Sequence, residues 1–189
     1  MKKLATTLCL AVVSYAVAYS QGTILWNESV NGPFSESSST PTILGQLQFG
    51  TNSIIGTTEV EPTGPSWSAH PDFFAFSVPS NLAVSAVYLQ VNKQNVWAWV
   101  GDPAFLNELG FVVNPSSGEL LSQWSLNAVG QGTYGMYMSN HDLQPVTSVA
   151  NYRLDFWVVP EPSALQLSLM GAGGLVGLRF WGRLRLETK

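Results

Sequence analysis

The sequence predicts an all-β fold, an antiparallel β-sandwich of about eight strands, with an N-terminal signal helix before it and one C-terminal transmembrane helix after it. Three observations lead there. Short segments of alternating apolar residues recur between turn formers through residues 21–162, the pattern of strands in a sandwich. Neither a soluble amphipathic helix nor a long crossover interrupts them, which argues against a parallel sheet. The two ends carry apolar runs of another kind, one behind Met1-Lys2-Lys3 and one ahead of an arginine-rich tail.

The strands follow in order. Early candidates are residues 23–26, 44–49 and 52–55. The segment 73–78 is rich in aromatic and β-branched side chains and stops at Pro79-Ser80-Asn81, a turn. Residues 84–91 form a longer strand, with Val84, Ala86 and Tyr88 on one face and Val87, Leu89 and Val91 on the other. Residues 96–100 come after the turn at 92–95, so these two strands read as a hairpin. Residues 111–113 and 120–124 flank Asn114-Pro115-Ser116-Ser117-Gly118, a five-residue turn with suitable chemistry. Tyr134, Met136 and Met138 alternate with Gly135, Tyr137 and Ser139. Tyr152, Leu154, Phe156 and Val158 alternate with Arg153, Asp155, Trp157 and Val159, a half-buried last strand. Residues 27–41 read as a flexible loop or entry segment without an assigned function.

Charge narrows the function. Residues 21–162 hold two cations, Lys93 and Arg153, against eleven anions, a net charge of −9, while the whole chain stands at −4. A body so poor in Lys and Arg has no means of neutralising phosphates, which excludes nucleic acid as a partner. Its surface is polar rather than ionic, as in many extracellular β-proteins.

The N-terminus has a positive n-region, an apolar core over residues 4–17 and the small-x-small sequence Ala16-Val17-Ala18. These are the parts of a secretory signal peptide, residues 1–18, with Ser20 as an alternative end. Cys9 is the single cysteine. Leu8 precedes it and the apolar run continues past it, which does not match a lipidation site. The exported body, residues 19–158, therefore has no disulfide, thiol nucleophile or thiolate metal ligand.

The C-terminus begins with Val159-Pro160-Glu161-Pro162-Ser163. It continues as an apolar span over residues 163–181 and ends in a basic tail, residues 182–189. The span approaches the roughly 20 residues a helix needs to cross the hydrocarbon. Arg179, Arg183 and Arg185 place the tail in the cytoplasm by the positive-inside rule. This succession, Pro160, Glu161 and Pro162, then the span and the basic end, resembles the PEP-CTERM sorting signal of bacterial envelope proteins. The resemblance covers residues 159–189. It implies an exosortase partner that cleaves the signal, an inner-membrane intermediate, and a final location at the cell surface or outside the cell.

The body bears a second, partial likeness, to the pre-peptidase C-terminal domain of bacterial secreted proteins. Its carriers are Gly50 through Gly56 leading to Asp72-Phe73-Phe74-Ala75-Phe76-Ser77-Val78, residues 112–121, and Gly132-Thr133-Tyr134 followed by Tyr152-Arg153-Leu154. It implies a jelly-roll-like sandwich and a non-catalytic module. The Trp97/Trp99 segment and residues 102–109 depart from the pattern.

Candidate chemistry is sparse. His70-Pro71-Asp72 and His141-Asp142 pair an imidazole with a carboxylate, but no nucleophile elbow frames them, so no catalytic residue is assigned. Glu59 and Glu61, two apart, are not diagnostic of glycoside hydrolysis. Glu59, Glu61, Asp72 and Asp102 are the oxygen donors available to Ca²⁺, although no metal motif frames them, and no cofactor or metal site is assigned. Trp67, Trp97, Trp99 and Trp124 are many for one domain. Trp97 and Trp99 share one side of their strand. Facing outward they would form a platform for stacking on sugars such as an exopolysaccharide; facing inward they are core. The expected function is a non-catalytic surface or matrix protein, with a glycan-binding module as the alternative.

Overall fold

The computed structural model describes residues 22–63, 66–93, 95–113, 115 and 117–161. The signal peptide, Pro162, the span 163–181 and Arg179, Arg183 and Arg185 lie outside the described residues. The chain divides into two units, Met1–Val159 and Pro160–Lys189. Among the described residues no helix is long and apolar enough to cross a membrane.

In its described residues the first unit is all-β, two sheets around a shared apolar core. Its elements are β1 (Thr23–Asn27), α1 (Glu28–Asn31), β2 (Thr42–Gln46), β3 (Gly50–Thr63), β4 (Ser66–His70), β5 (Asp72–Val78) and β6 (Leu82–Val91). After them come β7 (Val96–Gly101), β8 (Glu108–Val113), β9 (Gly118–Glu119), α2 (Leu120–Gln123), β10 (Gly132–Asn140) and β11 (Ser148–Pro160). One sheet has the order β1-β3-β11-β6-β9 with β4 added at β3; the other has the order β2-β5-β10-β7-β8. Long alternation makes β3 and β11 the spine of the first sheet, paired without a break from Ser148↔Val60 to Val158↔Gly50. On β11 the even-numbered side chains Tyr152, Leu154, Phe156 and Val158 are buried, as the period-two pattern predicts.

The core closes where those side chains meet Phe74, Phe76, Val78, Met136 and Met138 from the second sheet. Phe76 and Phe156 pack edge to face across it at 5.0 Å. At one end polar groups tie the sheets instead. The Tyr152 hydroxyl donates to Asp72 Oδ2 at 2.9 Å, and the Asn140 amide donates to Thr58 Oγ1 at 3.1 Å. Gly56 makes this possible: a Cβ there would sit 2.5 Å from the Tyr152 hydroxyl oxygen.

Four expectations need correction. The sheets are mixed rather than purely antiparallel, because β1 runs parallel to β3 and β2 parallel to β5. The predicted hairpin of β6 and β7 does not form. β6 lies between β11 and β9, whereas β7 lies between β10 and β8 in the other sheet. Alternation says that a segment is a strand but not which sheet receives it, and both ends of this turn are apolar enough for either. Residues 120–124 are not a strand: α2 occupies them. The Glu119 carboxylate accepts from the amides of Leu121 at 2.8 Å and Ser122 at 2.6 Å, capping the turn. Leu120 and Leu121 are then both buried, which consecutive strand residues on a one-sided sheet cannot be. Residues 27–41, finally, are tied down. The Glu28 carboxylate accepts from the Phe34 amide and the Thr57 hydroxyl, each at 2.9 Å, and Phe34 enters the core.

Candidate functional site

The outer side of the second sheet carries an unbroken aromatic row. Because the inward positions of β5, β7 and β10 are taken by Phe74 and Phe76, by Val96, Ala98 and Val100, and by Met136 and Met138, the intervening residues must face out. Register then aligns them. Tyr137 is opposite Phe73 on one side and Trp99 on the other, and Trp99 is opposite Phe111. Residues directly across antiparallel strands share a face, so four aromatic side chains from four adjacent strands stand side by side.

The loop from β7 to β8 folds down over this row. Asp102 organises it, its carboxylate accepting from the amides of Leu106 at 2.8 Å and Asn107 at 3.1 Å. These bonds, that of Leu106 foremost, hold the Asp102 carboxyl below its ordinary range. Phe105 takes a left-handed backbone, φ 57°, and its ring stacks on Trp99 at 5.2 Å and meets Phe73 edge-on at 5.1 Å and 84°. Two glycines beneath leave the room. A Cβ on Gly101 would lie 2.2 Å from the Asn107 carbonyl oxygen, and one on Gly135 would lie 2.7 Å from the Asp102 carbonyl oxygen.

Between the row and the loop opens a cleft of about 330 Å³, walled by Phe73, Trp99, Phe105, Phe111 and Tyr137, with Glu108 and Ser38 at its polar side. The Tyr137 hydroxyl is pushed above its ordinary pKa, first by burial and then by the Glu108 charge, so it stays a neutral donor. Glu108 has no basic partner among the described residues. Lys93 donates to Ser148 Oγ at 2.9 Å and lies 3.9 Å from Asp142, and Arg153 pairs with Asp155 at 2.9 Å.

Trp97 and Trp99 do point to one side of β7, and that side is outward. They do not form a bare platform. Trp99 is only 7% exposed, between Phe105 and Tyr137. Trp97 lies under the His141 imidazole, stacked at 3.5 Å, with the Phe111 ring edge-on beside it. Burial there holds His141 below its ordinary pKa. Phe105 is the side chain that sequence reasoning missed, because it comes from the segment 102–109, which has no strand pattern. Its only local sign was the Asp-Pro start of a turn.

The remaining candidates are scattered. Asp72 is buried against Tyr152 between the sheets, Asp102 caps its loop, and Glu59 and Glu61 lie on β3. Among the described residues no three His, Cys, Asp or Glu converge as metal ligands. His70 Nδ1 is 3.1 Å from Glu36, and the Asp142 carboxylate accepts from the Ser148 hydroxyl at 2.9 Å. Pro160 ends β11 and Glu161 follows it.

The outer side of the first sheet differs in character. Tyr88 and Trp157, 39% and 51% exposed, pair at 5.5 Å. An open groove of about 590 Å³, bordered by Gln90, Asn92, Asn151 and Arg153 and lined for the larger part by apolar surface, Ile55, Val91 and Tyr152 included, does not take in either ring.

No family model matches this chain, and no curated protein matches it. Among solved structures the chain is similar to PliG of Salmonella Typhimurium, a periplasmic lysozyme inhibitor of g-type lysozyme. The identity is 8%, the alignment covers 61% of this chain and 98% of that one, and the TM-score is 0.30. It is similar also to a mutant of the Escherichia coli inhibitor PliG-Ec, at 12% identity, 61% and 96% coverage and a TM-score of 0.30. A likeness of that size assigns neither a fold nor a partner to this chain.

Proposed function

We propose that the protein is an exported, non-catalytic component of the cell surface or extracellular matrix, sorted through a PEP-CTERM signal at residues 159–189 and cleaved there by an exosortase. The observation that carries this reading is the order of parts at the C-terminus. Pro160 is the last residue of β11 and also the first of the motif Pro160-Glu161-Pro162, which the apolar span and Arg179, Arg183 and Arg185 follow. The signal thus starts where the last strand of the body stops, and the division of the chain between Val159 and Pro160 falls at the same point. Removing the tail leaves the core strand positions of β11 untouched. In transit the protein is an inner-membrane intermediate with a cytoplasmic tail. The body is read as jelly-roll-like because most consecutive strands alternate between the two sheets; only β3 to β4 and β7 to β8 stay within one. The pre-peptidase likeness agrees with that winding.

The test is the intact mass of the protein from its own host, native and with Pro160, Glu161 and Pro162 replaced by Ala. The native form is expected to lack both ends, and the variant to keep its basic tail. An unprocessed C-terminus in both forms would refute sorting.

A second reading, binding of an exopolysaccharide, is favoured by Tyr88 and Trp157. They expose aromatic surface on a sheet face that also carries the exposed amides of Gln90 and Asn151, which suits stacking on a sugar ring with hydrogen bonds at its rim. The position differs from the Trp97/Trp99 platform. Retention on the host's exopolysaccharide that survives Trp157→Ala would remove this support.

A further inference from the structure

The geometry points to the cleft between the β7–β8 loop and the second sheet as a binding site for a small quaternary ammonium ligand, with aromatic walls around the methylated nitrogen and Glu108 as its counter-charge. Three observations on that cleft carry the inference, and none depends on the sorting signal.

The first is the arrangement of the rings. Phe105 lies over Trp99 with 23° between planes and meets Phe73 at 84°, while Tyr137 tilts 40° from Phe73. Phe73 and Phe105, at 84°, make two walls around a volume with Tyr137 tilted beside them, while Trp99, stacked between Phe105 and Tyr137 at 23° and 22°, backs them; a sugar site presents one open ring face instead. Aromatic faces attract cations within about 6 Å through their quadrupole.

The second is the polar inventory. The cleft offers one carboxylate, from Glu108, and the hydroxyls of Ser38 and Tyr137, without an Asn, Gln, Lys or Arg on its walls. A sugar needs several donors and acceptors around its rim. A methylated ammonium needs no donor at all, only π faces and a negative charge.

The third is that the counter-charge is unspent. The two cations of the described residues are engaged elsewhere, Lys93 by Ser148 and Asp142, and Arg153 by Asp155. With a body charge of −9, the field at the cleft favours a cationic ligand. The volume, about 330 Å³, is at the small end of ligand pockets, suited to a ligand of choline size.

The experiment is a calorimetric titration of the full chain with choline and with 3,3-dimethylbutan-1-ol, the uncharged isostere that has carbon in place of nitrogen. Choline is expected to bind saturably, and the isostere at least about tenfold more weakly, the ratio that a single favourable cation–π contact plus a carboxylate produces. Glu108→Gln, an exposed position whose change leaves the core alone, should weaken choline about tenfold and leave the isostere unchanged. Phe105→Leu, which keeps an apolar cover but removes the ring, should weaken choline while thermal unfolding confirms an intact body. Equal affinity for the two ligands, no saturable choline binding, or full affinity in E108Q would each overturn the assignment.

Discussion

Asp72 is the most perturbed carboxyl of the body, and its partner explains why it is tolerated. Burial, and secondarily the Glu28 charge, push its pKa up to about 8, while the hydrogen bond from Tyr152 pulls the other way. The carboxyl is therefore protonated in the folded protein at neutral pH and ionised in the unfolded chain, so the folded state binds more protons. Stability must then fall as pH rises from the ordinary carboxylate range near 3.8 to about 8, by a few kcal/mol, and flatten above it. Chemical denaturation as a function of pH is expected to show this slope, and Asp72→Asn to abolish it. Tyr152→Phe should cost about 1–3 kcal/mol, since it strips the buried carboxyl of its donor. Trp124 is the opposite case: its buried indole nitrogen has no acceptor among the described residues. Trp124→Phe should thus cost less than the usual truncation of a core aromatic.

Elements here are shaped by a few local contacts more than by propensity. The Glu119 carboxylate serves α2 and also accepts from the Val87 amide of β6 at 3.2 Å, so one side chain caps a helical turn and fastens it to the first sheet. Glu119→Ala is expected to lower stability by about 1–2 kcal/mol, read as a shift of the urea midpoint without a change of slope. The β7–β8 loop depends in the same way on two strand glycines. Gly135→Ala introduces a Cβ against Asp102 and Phe105, and overpacking of this kind costs about 1–3 kcal/mol. Its more telling effect is at the cleft, because the ring of Phe105 is lifted. Trp99 emission should become accessible to iodide quenching in this variant and remain protected in the native protein.

For the molecule as a whole, a body without a cysteine in residues 19–158 has packing as its main resource. The aromatic meeting of Phe76 and Phe156 bridges the two sheets, and Phe156→Ala should cost about 3–5 kcal/mol, a large share of the roughly 5–15 kcal/mol that holds an ordinary domain folded. Repulsion opposes packing. With a net charge of −9 over residues 21–162, the folded body gains from screening, so moderate salt should raise its melting temperature. A melting temperature unaffected by salt would show that the carboxylates are too dispersed to repel.

Much of this was legible in the chain. Period two is a property of consecutive residues, so the strands of residues 73–78, 84–91, 96–100 and 152–158 stood out as strands. The inward set Tyr152, Leu154, Phe156 and Val158 could be named from alternation alone. Charge and motif order at the termini are likewise linear properties, and the export and sorting expectations rest on them. Sheet membership is different. A turn at 92–95 can close a hairpin or carry the chain to the other sheet, and only the partners of β6 and β7 chose the second. The same holds for 120–124, where Glu119 happened to reach two amides and turned a predicted strand into a helix. Trp97 and Trp99 were foreseen on one side of their strand. Whether that side was bare depended on Phe105 and His141, which come from loops whose positions no local pattern encodes. The sequence by itself thus determined the strands, the inward faces and the charge, because these follow from neighbours along the chain. Only the tertiary structure decided the pairing and the aromatic cleft, because those join residues that are distant in sequence and meet only once the two sheets and the β7–β8 loop are in place.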